Sequence, residues 1–310
     1  MFSVKELVES NCLRSVPLNY ICLENSKDST LYSENENVPI IDLSQLTSFN
    51  SDERSNTIQQ LGDACRDWGF FMEYSSPNLF DQIKYGTSFN VMIDKTLFWR
   101  DYLKCYVHPH FNAPFKPLGF RETLEEYSTK GREVVEELLK GISLSLGLEE
   151  NYIYKRMKVN LGSQLLVINC YPPCPNPELV MGLPAHTDHG LLTLLMQNDL
   201  PGLHIQHNGK WIPVHPLPNS FLVNTGDHME ILTNGKYKSV VHRAVANSQG
   251  TRVSVGAAHG PCLDTVVGPA PELVGDDNPA AYRAIKYRDY MQLQQNHQLH
   301  INSCLDRIRT

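Results

Sequence analysis

The sequence has no run of about 18 consecutive apolar residues, the length a helix needs to cross the hydrocarbon core of a bilayer. Its first ten residues, Met1-Phe-Ser-Val-Lys-Glu-Leu-Val-Glu-Ser10, put charges where an export signal needs an unbroken apolar stretch. Both absences argue against a membrane protein and against export. Basic charge is also in short supply: 27 Lys and Arg stand against 34 Asp and Glu, a formal net charge of −7. No overall field draws such a chain to nucleic acid or anionic lipid, and no Lys/Arg cluster with interleaved aromatics offsets the balance. Cysteine is too sparse for a disulfide framework. The eight (Cys12, Cys22, Cys65, Cys105, Cys170, Cys174, Cys262, Cys304) show no paired spacing, which points to reduced thiols and a cytoplasmic location. Internal repeats and low-complexity linkers are missing too, so a solenoid is excluded and only the two ends read as loose.

What is there is a chain of 310 residues, 41% hydrophobic and 20% charged, long enough to bury a full core. A polar arm leads in over residues 1–37. Val38-Pro-Ile-Ile-Asp-Leu43 reads as a strand with its proline at the start, where a missing N–H is tolerated. Ser51 opens a helix continued by Ile58, Leu61, Ala64, Cys65 and Trp68, and Phe70-Phe-Met72 starts a strand that Pro77 breaks. A longer helix carries Phe120, Leu124, Tyr127, Val134, Leu138, Ile142 and Leu146 at helical spacing and stops at Gly147. From Gln164 to Gly260 the runs are short and rich in Val, Ile, Leu and Thr: 165–169, 191–196, 203–206, 211–214, 221–224, 239–246 and 252–258. Turn signals every eight to twelve residues or so separate them, a rhythm that argues a β-sandwich or barrel, with a jelly roll fitting best. Asn278 is expected to start a last helix running through Tyr282, Ile285, Tyr290 and Leu293.

The chemistry collects in the β region. His186 and Asp188 stand two apart, so on a strand they would project from one side, and His242 follows 54 residues after Asp188 inside another β run. Two His and a carboxylate, with positions left open, form the ligand set of a non-haem Fe(II) oxygenase. Ten residues on, Arg252-Val-Ser254 places a guanidinium and a hydroxyl on one strand face, as a clamp for the far carboxylate of a dicarboxylic acid requires. Asn169 and Tyr171 could hydrogen-bond the same ligand. Alone, each has a plainer reading: a loop His and a turn Asp, a packed strand His, an edge Arg in a surface ion pair. Their agreement within one β architecture shifts the balance. Cys170 and Cys174 lie among three prolines with no second pair to complete a zinc site, Asp227 and His228 read as a turn, and His189 lines the entrance without being a ligand.

Asn169-Cys-Tyr-Pro-Pro-Cys-Pro, Ala185-His-Thr-Asp-His-Gly, Val223-Asn-Thr-Gly-Asp, Val241-His-Arg-Ala and Arg252-Val-Ser, in this order, closely resemble the plant 2-oxoglutarate/Fe(II)-dependent dioxygenases of hormone and specialised metabolism, the isopenicillin N synthase-like enzymes. Val38-Pro-Ile-Ile-Asp-Leu and Asp67-Trp-Gly-Phe-Phe resemble that family's N-terminal domain. The resemblance implies a mainly β fold with flanking helices: a double-stranded β-helix (jelly roll) core at 160–262, an N-terminal α/β region at 38–150 and a C-terminal helix and tail at 263–310. It implies His186, Asp188 and His242 as iron ligands, Arg252 and Ser254 on 2-oxoglutarate with Tyr171 and Asn169 assisting, and O2 as co-reactant. It also implies an enzyme that hydroxylates or desaturates a small organic metabolite and releases succinate and CO2; a monomer is the expectation for its assembly, which the sequence itself does not reveal. One departure stands out, since the chain is shortened after Met72 where the family continues a strand and a helix. Two other readings are therefore weighed: an impaired member that binds iron and 2-oxoglutarate but oxidises substrate poorly, and a zinc hydrolase, which would have no use for Arg252 and Ser254. Phe89, Phe98, Phe111, His259 and Tyr290 are the candidates for substrate-pocket lining.

Overall fold

Nine residues, Arg252–Gly260, form the strand on which the larger sheet is centred. Side chains alternate across a strand. Val253, Val255 and Ala257 join the main hydrophobic core, while Arg252, Ser254, Gly256 and Ala258 face a cavity on the other side. Buried on both faces, the strand has no place for a bulky polar residue that lacks a partner.

The computed structural model of the chain describes residues 3–9, 13, 15–22, 82–88, 96–295 and 304–310. The strand expected at Val38–Leu43, the helix from Ser51 to Trp68, the strand at Phe70–Met72 and the shortening after Met72 lie outside them. Ten of the described strands make two antiparallel sheets. The larger contains β1 (Ile83–Thr87), β2 (Asp101–His108), β3 (Ser163–Tyr171), β5 (Leu192–Gln197), β8 (Leu222–Thr225) and β10 (Arg252–Gly260), in the order β1-β2-β3-β10-β5-β8. The smaller contains β4 (Met181–His186), β6 (Leu203–His207), β7 (Lys210–Val214) and β9 (His242–Val245), in the order β4-β9-β6-β7. Residues of both sheets line the cavity, as a jelly roll requires. A two-stranded pair, β11 (Val266–Val267) with β12 (Ile285–Lys286), lies after the core.

The inside-outside alternation runs through the larger sheet in register. Leu103, Cys105 and Val107 of β2, Leu166 and Ile168 of β3, and Leu192, Leu194 and Met196 of β5 point to the core. Their neighbours Lys104, Tyr106, Leu165, Val167, Asn169, Thr193 and Leu195 point to the cavity. The core face is covered by the helix Phe120–Ser145, which buries Phe120, Leu124, Tyr127, Val134, Val135 and Leu139 at three- and four-residue steps. It ends where Gly147 takes φ +74°, the left-handed conformation that closes helices at glycine.

Four features differ from the sequence reading. β1 and β2 precede the expected β region and extend its sheet. β4 was not expected as a strand, because Gly182 and Pro184 interrupt it and its pairing with β9 shifts register twice; as an edge strand it tolerates the proline. The last helix begins at Tyr287 rather than near Asn278, because Ile285 and Lys286 pair with β11 and Tyr282 bridges Arg309. The described parts of the ends are not loose. Val4 is fully buried beside Trp99, and the Asp101 carboxylate accepts the N–H groups of Val4 and Lys5 at 2.9 Å each. At the other end Leu305 and Ile308 are buried in the main core.

Two leucines of the long helix test this packing: Leu139 is fully buried and Leu144 is 56% exposed. Leu139→Ala is expected to lower unfolding free energy by about 2–5 kcal/mol in urea titrations, whereas Leu144→Ala stays within about 0.5 kcal/mol. Equal costs would place the helix face wrongly.

Candidate metal centre and cosubstrate pocket

His186 is the last residue of β4 and His242 the first of β9, and the two are direct cross-strand partners. Their rings lie 4.2 Å apart between centroids. Asp188 comes from the turn that follows β4, so the pair His186 and Asp188 does not share a strand face as the spacing suggested; the chain turns between them and brings the carboxylate over the rings. Its Oδ1 lies 3.9 Å from His186 Nε2 and 3.8 Å from His242 Nε2. Among the described residues this is the one trio of His, Cys, Asp or Glu with ligand atoms close enough for a metal ion, all within 4.8 Å.

The protonation states suit a cation. His186 Nδ1 donates to the Pro184 carbonyl at 2.8 Å and His242 Nδ1 to the Val240 carbonyl at 3.0 Å, which leaves both Nε2 lone pairs facing Asp188. Burial, with His242 alongside, pushes His186 down to about 3, so it is neutral at pH 7. Burial alone would raise the Asp188 carboxyl, but His242, His186 and a hydrogen bond from Asn224 hold it well below the usual carboxylate range. A neutral His186 and an anionic Asp188 result, with His242 Nε2 turned to the same carboxylate.

Asn224 is a functional residue that the sequence reading passed over. Its amide donates to Asp188 Oδ2 at 2.9 Å, which turns Oδ1 toward the histidines. It projects from β8 opposite Thr193 of β5, and only this register brings it to the site. The second omission is the segment expected as a turn at Asp227 and His228. It is a buried helix, Asp227–Leu232, and its first residues grip the turn that carries Asp188. The N–H of Asp227 donates to the Asp188 carbonyl at 2.7 Å and that of His228 to the Gly190 carbonyl at 3.1 Å. The Asp227 carboxylate accepts from Thr187 at 3.2 Å and from Tyr290 at 2.7 Å. Burial pushes that carboxyl up to about 6. No sequence signal marked this, because the motif Thr-Gly-Asp looks the same in a turn and at a helix start.

The opposite wall belongs to the larger sheet. Arg252 is 1% exposed, its Nη2 donates to Gln197 Oε1 at 2.6 Å, and its Nε and Nη1 have no partner. Its guanidinium lies 5.1 Å from the ring centre of Tyr171, its neighbour in register. Ser254 stands opposite Asn169, whose amide donates to the Ser254 hydroxyl at 3.3 Å. Two unsatisfied donors on a buried cation are a strong demand for an anion, because leaving them so costs about 1–3 kcal/mol or more. A carboxylate answers that demand with charge-assisted hydrogen bonds from the guanidinium. The chain's own residues therefore fit Fe(II) and a dicarboxylate together.

Other sequence expectations divide. His189 lines the cavity, its Nδ1 2.7 Å from the Tyr287 hydroxyl. Burial pushes the thiols of Cys170 and Cys174 up to about 12 and about 11. The guesses at substrate lining fail: Phe98, Phe111, His259 and Tyr290 are not cavity residues, and Phe89 lies outside the described residues. Tyr290 is fully buried behind the metal turn on Asp227, and His259 Nε2 pairs with Gln164 at 3.0 Å.

Residues 162–261 match the family model of the 2OG-Fe(II) oxygenase superfamily, and residues 38–73 match that described as non-haem dioxygenase in morphine synthesis N-terminal. The chain is 42% identical to 2-oxoglutarate-dependent dioxygenase 19 of Oryza sativa subsp. japonica, over 88% of this chain and 90% of that protein. The chain belongs to the 2OG-Fe(II) oxygenase superfamily. The oxygenase is also 36% identical to flavanone 3-dioxygenase 2 of the same plant, over 96% of its own length and 95% of that relative. The crystal structure of JOX2 in complex with 2OG, Fe and JA superposes on it with a TM-score of 0.83 at 29% identity, covering 100% of this chain and 98% of that one. It is a 2-oxoglutarate-dependent dioxygenase that uses Fe(II), and its acceptor is a small organic molecule that it hydroxylates or desaturates. Nothing in the comparisons supports the impaired alternative.

Gly226 tests the grip on the metal turn. A Cβ there would meet the Gly190 carbonyl oxygen at 2.4 Å and that of Asp188 at 2.7 Å, both rigid backbone. Gly226→Ala is expected to weaken Fe(II) binding at least about tenfold in equilibrium titration, on the scale of losing an outer-shell support, with the far-ultraviolet dichroism unchanged. Unchanged affinity would show that the turn keeps its shape without the grip.

Proposed function

We propose that His186, Asp188 and His242 hold Fe(II), and that Arg252 and Ser254, with Tyr171 and Asn169 assisting, hold 2-oxoglutarate across the cavity. The observation that carries this is the pair of unpartnered guanidinium nitrogens on buried Arg252, facing the same cavity as the three ligands. Bound Fe(II) and 2-oxoglutarate together supply the activation of O2 and the oxidising equivalent, with succinate and CO2 released. The chain's residues do the rest. The two Nδ1–H groups fix the imidazole orientation through backbone carbonyls, and Asn224 fixes the carboxylate. Arg252 sets the direction of the cosubstrate by binding its far end, and Tyr171 packs beside the guanidinium. Leu165, Val167, Leu195 and Leu222 keep the cavity wall apolar, which limits water at the reacting carbon. A zinc hydrolase would leave the Arg252 fork without a function.

The finer reading is of a cytoplasmic monomer acting on a metabolite of plant specialised metabolism, with neither nucleic acid nor membrane as partner. It is supported by the acidic balance of the chain and the plant origin of the relatives. The division into an arm at 1–37, an N-terminal region at 38–150, a β core at 160–262 and a C-terminal part at 263–310 belongs to the same proposal.

Replacing His186, Asp188 or His242 by Ala is expected to abolish turnover and the weak visible absorption that Fe(II) and 2-oxoglutarate give together without oxygen, while the fold persists. Any variant that keeps full activity would remove its residue from the metal set. Arg252→Lys is expected to weaken 2-oxoglutarate by about 2–3 kcal/mol, the scale of a charged hydrogen bond, because a point charge replaces a fork. An unchanged apparent affinity would remove Arg252 from the cosubstrate site.

A further inference from the structure

A serine hydroxyl donates or accepts, and its proton turns to suit its neighbours. Ser254 serves a carboxylate only if that proton points into the cavity, so something must hold it there. Its side-chain partner is Asn169, directly opposite on β3, whose Nδ2 donates to the hydroxyl oxygen at 3.3 Å. That bond occupies a lone pair and leaves the Ser254 proton without an acceptor among the described residues. Two residues away on the same strand face, Arg252 Nε and Nη1 are without partners as well, so three donors face one cavity. An asparagine amide is as ambiguous as a hydroxyl, since a half-turn exchanges its oxygen and nitrogen. Reversed, Asn169 would offer Ser254 an acceptor, and the hydroxyl would donate to it instead of into the cavity.

Arg100 removes the ambiguity. A guanidinium donates and never accepts. Its Nη1 donates to Asn169 Oδ1 at 3.2 Å, so the amide nitrogen is the end left for Ser254. Arg100 stands just before β2, is 2% exposed and lines the same cavity. Its other bonds lock the fork: Nε and Nη2 both donate to the Ser88 carbonyl, at 3.2 Å and 2.8 Å. Ser88 is itself fully buried, its N–H donating to the Arg100 carbonyl at 2.7 Å and its hydroxyl accepting from the Phe98 N–H at 2.8 Å. The Tyr102 ring, its centre 4.8 Å from the guanidinium carbon, braces the group from the side. Lysine does not replace this arrangement, because a point donor lacks the planar fork that grips a carbonyl and an amide at once.

We propose that Arg100 is a positioning residue for the cosubstrate: by fixing the Asn169 amide it aims the Ser254 proton at the far carboxylate of 2-oxoglutarate. The inference rests on the assignment of Arg252 and Ser254 to that carboxylate above. The relay crosses from the start of β2 through β3 to β10, and each member accepts from the one before and donates to the one after. With a cation at its head and an anion at its tail, the chain of bonds is polarised in one direction, which strengthens the last of them. Arg252 supplies charge to the carboxylate, and Arg100 supplies the direction of its neighbour's hydrogen bond.

The test is a double-mutant cycle on protein loaded with Zn(II), a redox-inert stand-in for Fe(II), with 2-oxoglutarate binding read by calorimetry. Arg100→Met is expected to weaken 2-oxoglutarate about tenfold, the scale of one charge-assisted hydrogen bond, with Zn(II) affinity held within about twofold. Ser254→Ala is expected to cost a similar factor. The two combined are expected to bind no more than about twofold weaker than Ser254→Ala alone, because with the hydroxyl gone Arg100 has nothing left to aim. Arg100→Lys, which keeps the charge and loses the fork, is expected to behave like Arg100→Met. Unchanged affinity in Arg100→Met, losses that multiply in the combined variant, or full rescue by Arg100→Lys would each overturn the role. Loss of Zn(II) uptake by both Arg100 variants would make Arg100 a support of the fold alone and overturn it too. Ser254→Ala binding 2-oxoglutarate as tightly as the unaltered protein, or no uptake of Zn(II) and 2-oxoglutarate by the unaltered protein, would overturn the site assignment, and this inference with it.

Discussion

The candidate metal centre depends on a turn that no strand supports. Thr187 to Gly190 leave β4 and enter β5 without ladder partners of their own, yet Asp188 must stand within 4 Å of two imidazoles. What holds it is the buried start of the helix Asp227–Leu232, whose first amides are unsatisfied within the helix, as at any helix start. They donate to Asp188 and Gly190 instead. One set of orphan donors thereby meets the carbonyls of a turn that has no sheet to bond to, and Asn224 completes the arrangement from the strand just before. Remove that grip and Asn224 is left to aim a carboxylate whose backbone is no longer held.

Around this fixed point the larger sheet divides its residues by parity. Along β10, even-numbered positions face the cavity and odd-numbered ones the helix-covered core, and the neighbouring strands keep step. A one-residue slip of β10 would bury the Arg252 guanidinium in hydrocarbon and turn Val253 into the cavity, a change that burial of an unpaired charge makes prohibitive. The core packing and the proposed cosubstrate clamp therefore select the same register. Small residues share in this: Gly256 and Ala258 leave the cavity open where larger side chains would fill it.

How much of this could be read beforehand follows from the range of each signal. The long helix was legible because Phe120, Leu124, Tyr127 and Val134 repeat at helical spacing over many turns. The central strands were legible from their Val, Leu and Thr runs, and the grouping of His186, Asp188 and His242 in one cavity with Arg252 and Ser254 was expected from their residue types and spacing. β2 was open to reading and was missed: Leu103, Cys105 and Val107 alternate with Lys104, Tyr106 and His108 in the period of a half-buried strand, but the run stands apart from the cluster of β runs that begins at Gln164. β4 was hidden by glycine and proline. Asn224 and Asp227 are common residues whose importance lies in contacts 36 and 40 positions away in the chain, to Asp188 and Thr187. The last helix was started too early because Tyr282 and Ile285 keep a helical interval while serving extended segments.

The first helix has a bearing on the cavity that its position in the chain conceals. Val4–Glu9 is tied down by the Asp101 carboxylate, and Asp101 is adjacent to Arg100 in the wall. Those two backbone donors keep a negative charge occupied on the outer side of β2 while the positive charges of the same strand look inward. A chain begun after Glu9 would free that carboxylate to water and to the nearest cations, and the electrostatic polarity across β2 would be partly cancelled. Trimming at the very start would then alter what the cavity attracts, although every residue lining it had been kept.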